Sequence, residues 1–150
     1  MNYSFDRSFG NLSRTISKAL GQRLESKLRE ENISITAEQW NIISMLHYHG
    51  KLSQKEIGLF VGFNKVRINR LIDRLEKNKI VKRSAGNSDK RTKIVTLTKL
   101  GKQYYQQILP FAEETLKDAT KGLKPEEVDL CIDYLLKISN NLENTAKADN

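Results

Sequence analysis

The stretch Asn64–Lys93, NKVRINRLIDRLEKNKIVKRSAGNSDKRTK, decides the fold. Ile68, Leu71, Ile72 and Leu75 fall at i, i+3, i+4 and i+7, the spacing of one buried helix face. At about 100° per residue, Val66, Asn69, Arg70, Asp73 and Lys77 point the other way, flanked by Lys65, Arg67 and Arg74. After Asn78 the period shortens to two. Ile80-Val81-Lys82-Arg83 and Lys93-Ile94-Val95-Thr96-Leu97 read as strands joined by the turn-forming Ala85-Gly86-Asn87-Ser88-Asp89. The segment holds 11 of the 26 Lys and Arg but only 3 of the 18 Asp and Glu, an excess equal to the whole formal net charge of +8. A basic helix beside a basic hairpin is a face for a polyanion, and its shape suits double-stranded DNA.

Working outward, Ser53-Gln54-Lys55-Glu56 is a capping box that starts a short helix with Ile57 and Phe60 on its apolar side, ending near Gly62. Only Gly62, Phe63 and Asn64 separate it from the next helix. Thr36-Ala37-Glu38-Gln39 is a second box, opening a helix that buries Trp40, Ile43 and Leu46 and stops at Gly50. Upstream, Phe5, Phe9, Leu12, Ile16, Leu20, Leu24 and Leu28 draw one apolar stripe along a long helix. Downstream, Thr98 caps a helix through Leu100, Tyr104, Ile108 and Phe111, which Pro110 is expected to bend or interrupt. A last helix starts at Leu123-Lys124-Pro125-Glu126-Glu127 and carries Val128, Leu135, Leu136 and Leu142.

A short helix, a tight turn, a second helix with an outward polar face and a basic hairpin form a winged helix-turn-helix. In such a unit the second helix enters the major groove and the hairpin reaches the flanking backbone or minor groove. The fold class is mainly α with a small β-hairpin wing. One domain over residues 1–150 is expected, with 36–97 as the DNA-binding lobe and 1–33 and 98–146 as dimerisation helices. The apolar load of the outer helices exceeds what a small winged lobe covers, which points to a homodimer.

The run Arg70-Leu71-Ile72-Asp73-Arg74-Leu75-Glu76-Lys77, then Ile80-Val81 and Arg83, Asp89-Lys90-Arg91, and Val95-Thr96-Leu97-Thr98 with Gly101 closely resembles the MarR family of transcriptional regulators. That resemblance implies an obligate two-fold homodimer with interdigitating terminal helices, a palindromic operator and most often repression. It implies that Arg91 reaches the minor groove from the wing tip while Asp89 orients the wing arginines. It also implies a small aromatic or phenolic effector between the dimer arms and the lobe, for which Trp40, Met45 and Tyr104 are candidate lining. In one departure, Lys79 stands where the family usually has glycine, so Asn78 or Lys79 must make a left-handed turn.

The candidate DNA-binding residues are Ser53, Gln54, Asn64, Lys65, Val66, Arg67, Asn69, Arg70, Arg74, Arg83, Asp89, Lys90 and Arg91. Arginine can bind guanine O6 and N7, asparagine can bind adenine, and Val66 can touch a thymine methyl. Lys82, Arg83, Lys90 and Lys93 read as phosphate contacts, and Asp73 as a partner of Lys77 at i+4.

Other functions lack parts. No phosphate-cradling glycine loop, metal-ligand spacing or nucleophile and base pair is recognisable, so neither an enzyme nor a cofactor is expected. His47 and His49 stand two apart on a helix and diverge too far to share a metal. Tyr104 and Tyr105 read as interface core, and Cys131 as core filler. A single cysteine, with no apolar run of membrane-span length, fits a cytoplasmic protein. The competing reading is an architectural DNA-binding protein with little sequence preference.

Overall fold

The structure, a computed structural model, describes residues 4–86 and 90–148, as backbone only at 143 and 145–148. It divides into two compact units, Met1–Thr115 and Leu116–Asn150.

In the first unit, a 3-10 turn at Phe5–Arg7 precedes α1, Phe9–Glu30, because Ser8 accepts the Asn11 N–H and restarts the chain as a helix. Of the apolar stripe only Leu24 and Leu28 are buried, while Phe5, Phe9, Leu12 and Ile16 lie open. α1 ends in a left-handed Asn32, with Ile33 N–H donating back to Leu28 O at 2.8 Å. α2, Ala37–His49, opens with the expected box: Thr36 Oγ1 accepts from Gln39 N–H at 3.2 Å, and Gln39 Oε1 accepts from Thr36 N–H at 3.0 Å. It buries Trp40, Ile42, Ile43 and Leu46 and stops at Gly50, φ 76°.

A strand that the hydrophobic pattern does not announce follows. β1, Lys51–Ser53, pairs antiparallel with the later strand Lys93–Leu97 through Leu52↔Val95. α3, Gln54–Val61, begins with the second box, in which Ser53 N–H donates to Glu56 Oε2 at 2.7 Å and Ser53 Oγ accepts from Glu56 N–H at 3.2 Å. Those bonds, the backbone one foremost, hold the Glu56 carboxyl below the usual carboxylate range. Ile57 is buried, but Phe60 is open against the His49 ring, contrary to expectation. The side of α3 that meets the next helix is supplied by Gly58, where a Cβ would stand 3.3 Å from Phe63 O and 3.6 Å from Ile68 Cγ1.

α4, Lys65–Lys77, is capped by Asn64 and buries Ile68, Leu71, Ile72 and Leu75, as their spacing predicts. Lys79, at φ 59°, makes the left-handed exit. Lys79 N–H donates to Glu76 O at 2.8 Å and Ile80 N–H to Leu75 O at 2.9 Å, a Schellman end with Leu75 and Ile80 in the core. β2, Val81–Ala85, and β3, Lys93–Leu97, form the wing in the sheet order β1-β3-β2.

α5, Lys99–Ala119, starts at Thr98. Thr98 Oγ1 accepts from Gly101 N–H at 3.0 Å and donates to Lys79 O at 2.6 Å, and Thr98 N–H donates to Ile80 O at 3.0 Å. Of the expected bend or interruption at Pro110, the interruption does not occur; losing one backbone donor does not end a helix anchored by buried Tyr105 and Ile108 before it and Thr115 after it. Tyr105 lies in the chain's own core rather than at an open interface, stacked on Trp40 at 5.5 Å and on His47 at 3.6 Å. Its hydroxyl is pushed up to about 12 by its hydrogen bond to Tyr48 and by burial.

In the second unit, α6, Pro125–Ala148, begins with the expected proline, and Lys124 N–H donates to Glu127 Oε2 at 2.7 Å. Leu130, Ile132, Leu135, Leu136 and Leu142 are all open. Cys131 is exposed rather than core filler, being carried on a helix with no buried residue among its described side chains. No described helix is long and apolar enough to cross a membrane.

One contact admits only glycine: a Cβ on Gly101 would stand 2.1 Å from Ile80 O. Gly101→Ala should destabilise the fold by about 3 kcal/mol or more in urea unfolding. Gly10→Ala, on a helix with nothing within 4 Å, should be neutral or stabilise by about 0.5 kcal/mol. Equal, small effects at both positions would contradict the close approach.

Candidate nucleic-acid interface

The outward side of α4 is organised by a chain of hydrogen bonds that begins in the wing. Arg83, on β2, donates from Nη2 to Asp73 Oδ1 at 2.6 Å, from Nη1 to Glu76 Oε2 at 2.5 Å and from Nε to Gln54 Oε1 at 2.7 Å. Gln54, the first residue of α3, then donates from Nε2 to Asn69 Oδ1 at 2.6 Å. One guanidinium thus joins wing, α3 and α4, and fixes the side chain of Asn69 at one remove.

This geometry bears on two expectations. Arg83 keeps only 15% of its side chain exposed and braces the wing against α3 and α4, so its guanidinium is already engaged by Asp73, Glu76 and Gln54. Asp73 takes Arg83 as its partner instead of Lys77, because β2 lays the arginine directly across residues 73 and 76 of α4. Period-two parity carries the missed signal: Arg83 shares a strand face with buried Val81, whereas Lys82 points away.

The other candidates separate by what already engages them. Ser53 is buried as the cap of α3, and Asn64 caps α4, accepting from Arg67 N–H at 2.9 Å. Arg67 sits 4.0 Å over the Phe63 ring and pairs with Glu38 of α2, a residue that sequence reasoning did not single out. Lys65, Val66, Arg70 and Arg74 are exposed on α4. Among the described residues the side chains of Lys65, Arg70 and Arg74 have no hydrogen-bond or ion-pair partner. Lys90 and Arg91 are exposed at the far end of the hairpin, closed by Gly86 N–H donating to Thr92 O at 2.8 Å. Asp89 lies outside the described residues.

The candidate effector residues belong to the core. Trp40 is buried under Tyr105, while Met45 and Tyr104 are half-buried against the same cluster.

A family model described as MarR family matches residues 35–93, which covers α2, α3, α4 and the wing into β3. The HTH-type transcriptional regulator YwoH of Bacillus subtilis (strain 168) is 34% identical over 110 residues, spanning 71% of this chain and 75% of that one. The chain belongs to the MarR family. It is a DNA-binding transcriptional regulator of the winged helix-turn-helix class. Two solved structures share the MarR-family fold. BpsR of Bordetella bronchiseptica, whose DNA binding is regulated by 6-hydroxynicotinic acid, superposes with TM-score 0.79 at 24% identity, over 93% of this chain and 98% of that one. A mutant MarR of E. coli complexed with operator DNA gives TM-score 0.74 at 24% identity, over 87% and 91%.

The brace generates a test specific to this MarR-family chain. Arg83→Met leaves two carboxylates unpaired on α4 and should cost about 1–3 kcal/mol in chemical denaturation. Adding Asp73→Asn and Glu76→Gln should restore a large part of that loss, because the charges needing compensation are gone. No rescue in the triple variant would mean that packing, not charge, makes Arg83 matter.

Proposed function

We propose that this MarR-family chain works as a homodimeric repressor that recognises a palindromic operator. Residues 36–97 form the reading lobe, and the terminal helices, within 1–33 and 98–146, form the dimer arms. The observation that carries the reading is the outward face of α4: Lys65, Arg70 and Arg74 stand exposed and unpartnered among the described residues, beside an Asn69 that Gln54 and Arg83 hold in place.

In this reading α4 lies in the major groove, with Arg70 and Asn69 on base edges and Val66 against a thymine methyl. Lys65, Arg67, Arg74, Lys90 and Arg91 meet phosphates or the minor-groove edge, while Ser53, Asn64 and Arg83 shape the surface rather than touch DNA. Two copies would place their α4 helices about 34–36 Å apart, one turn of B-DNA. Support for the dimer comes from apolar faces that the chain leaves open, Phe5, Phe9, Leu12 and Ile16 on one helix and Leu130 through Leu142 on another. DNA as partner and a small organic effector are supported by the relatives: MarR bound to operator DNA, and BpsR regulated by 6-hydroxynicotinic acid. Release follows if an effector binds best to a spacing of the two lobes that the operator cannot accept.

Selection of bound sites from random DNA should return a palindrome. On that site Arg70→Ala should lose roughly 1–3 kcal/mol per half-site, with a much smaller loss on random DNA at the same salt. Equal losses on both DNAs, with no palindrome selected, would instead mark an architectural protein. Sedimentation should give a dimer at micromolar concentration, and Ile16→Glu should shift it toward monomer. A wild-type monomer under those conditions would remove the two-lobe model.

A further inference from the structure

We propose that Asn69 presents its amide nitrogen, and not its oxygen, to the major groove, and so selects guanine over adenine at one position of each half-site. The inference deepens the operator-binding reading above and rests on it, since it needs α4 in the groove. An unconstrained asparagine pairs with adenine by using both ends of its amide, accepting from N6 and donating to N7. In this chain one end is already engaged: Asn69 Oδ1 accepts from Gln54 Nε2 at 2.6 Å.

The direction of that bond is set from the wing. An arginine side chain can only donate, so the Gln54 atom that meets Arg83 Nε at 2.7 Å must be the amide oxygen. The Gln54 nitrogen is thereby turned toward Asn69, and the Asn69 atom that meets it must be the oxygen. Turning either amide over would set donor against donor. The guanidinium is held against swinging away, because its Nη1 donates to Glu76 Oε2 at 2.5 Å and its Nη2 to Asp73 Oδ1 at 2.6 Å. Polarity thus passes from a charge on β2, through an amide on α3, to an amide on α4.

What remains of Asn69 is its nitrogen. Among the described residues Asn69 has no other side-chain hydrogen bond, and no buried side-chain nitrogen or oxygen lacks a partner, so Nδ2 of this half-buried residue reaches solvent. It lies on the outward side of α4, with exposed Val66 a turn before it and exposed Arg70 beside it. Guanine offers N7 and O6 side by side as acceptors for both hydrogens of that nitrogen, whereas adenine sets its N6 amino group, a donor, against it. Guanine is therefore favoured, and adenine is penalised by a donor left unmatched.

The test uses the full chain and the site it selects from random DNA, with the fold of each variant checked by thermal melting. The position read by Asn69 is the one whose preference disappears in Asn69→Ala. There the wild type should favour G·C over A·T about tenfold, and 7-deazaguanine, which lacks the N7 acceptor, should weaken binding severalfold. Gln54→Glu is the decisive arm. A carboxylate accepts from Arg83 and from Asn69 alike, so the Asn69 amide turns over, presents Oδ1, and should shift the preference from guanine to a base with an amino group, adenine or cytosine. If that variant does not fold, Gln54→Ala should reduce the guanine preference by freeing the amide. A wild-type preference for A·T at that position, indifference to 7-deazaguanine, or a guanine preference unchanged in the Gln54 variants overturns the inference. Should no position depend on Asn69 while Arg70→Ala still alters the selected site, the inference falls and the operator reading stands. A wild type with no sequence preference at all refutes both.

Discussion

The carbonyl of Ile80 pressed against the Cα of Gly101 is the constraint on which the geometry of the proposed DNA-facing surface depends. Three pieces of chain meet there: the end of α4, the start of β2 and the first turn of α5. Thr98 binds them twice, its N–H to Ile80 O and its hydroxyl to Lys79 O, and the missing side chain at residue 101 lets α5 come close enough for both bonds. Without that approach β2 would leave α4 in another direction, and Arg83 would not fall across Asp73 and Glu76. The proposed recognition surface is therefore built partly by a helix that carries none of its residues.

Charge on this surface is divided between two tasks. Asp73 and Glu76 lie on the helix proposed to meet phosphates, where uncompensated carboxylates would be repelled. Arg83 neutralises both from a position with little exposure, so the cations left outside, Lys65, Arg70 and Arg74, are not opposed by them. The same guanidinium holds Gln54, and Gln54 holds Asn69. An amide so held loses less side-chain freedom on binding a base than a free one would. Compensation and preorganisation come from one residue, which is why its charge matters more than its small exposed area suggests.

Signals carried within a few residues were legible in the sequence. Both capping boxes, the four buried positions of α4 and the proline start of α6 are local rules, and each appears where the spacing puts it. Features requiring a distant partner were not. β1 is three residues long and exists only because β3 pairs with it. The i+4 rule pairs Asp73 with Lys77, whereas its partner arrives from a strand ten residues on. Glu38 beside Arg67 is separated from it by 29 positions and leaves no periodic trace. Phe60 failed for a related reason, since the facing side of α3 was reserved for a glycine by the approach of α4. The roles of Arg91 and Asp89 came from resemblance and not from spacing.

Lys79 shows how a local cost persists when its surroundings determine it. A left-handed lysine costs about 1–2 kcal/mol relative to glycine. Its own N–H, the Ile80 N–H and the Lys79 carbonyl are nevertheless all bonded, to Glu76 O, Leu75 O and the Thr98 hydroxyl. Those three bonds all form around the left-handed turn, so the turn follows from the bonding and not from the residue's own preference. What the lysine adds is an exposed cation at the junction of α4 and the wing, where glycine would add none. The departure from the usual glycine thus exchanges some backbone comfort for positive charge, in the segment where the sequence already concentrates its excess.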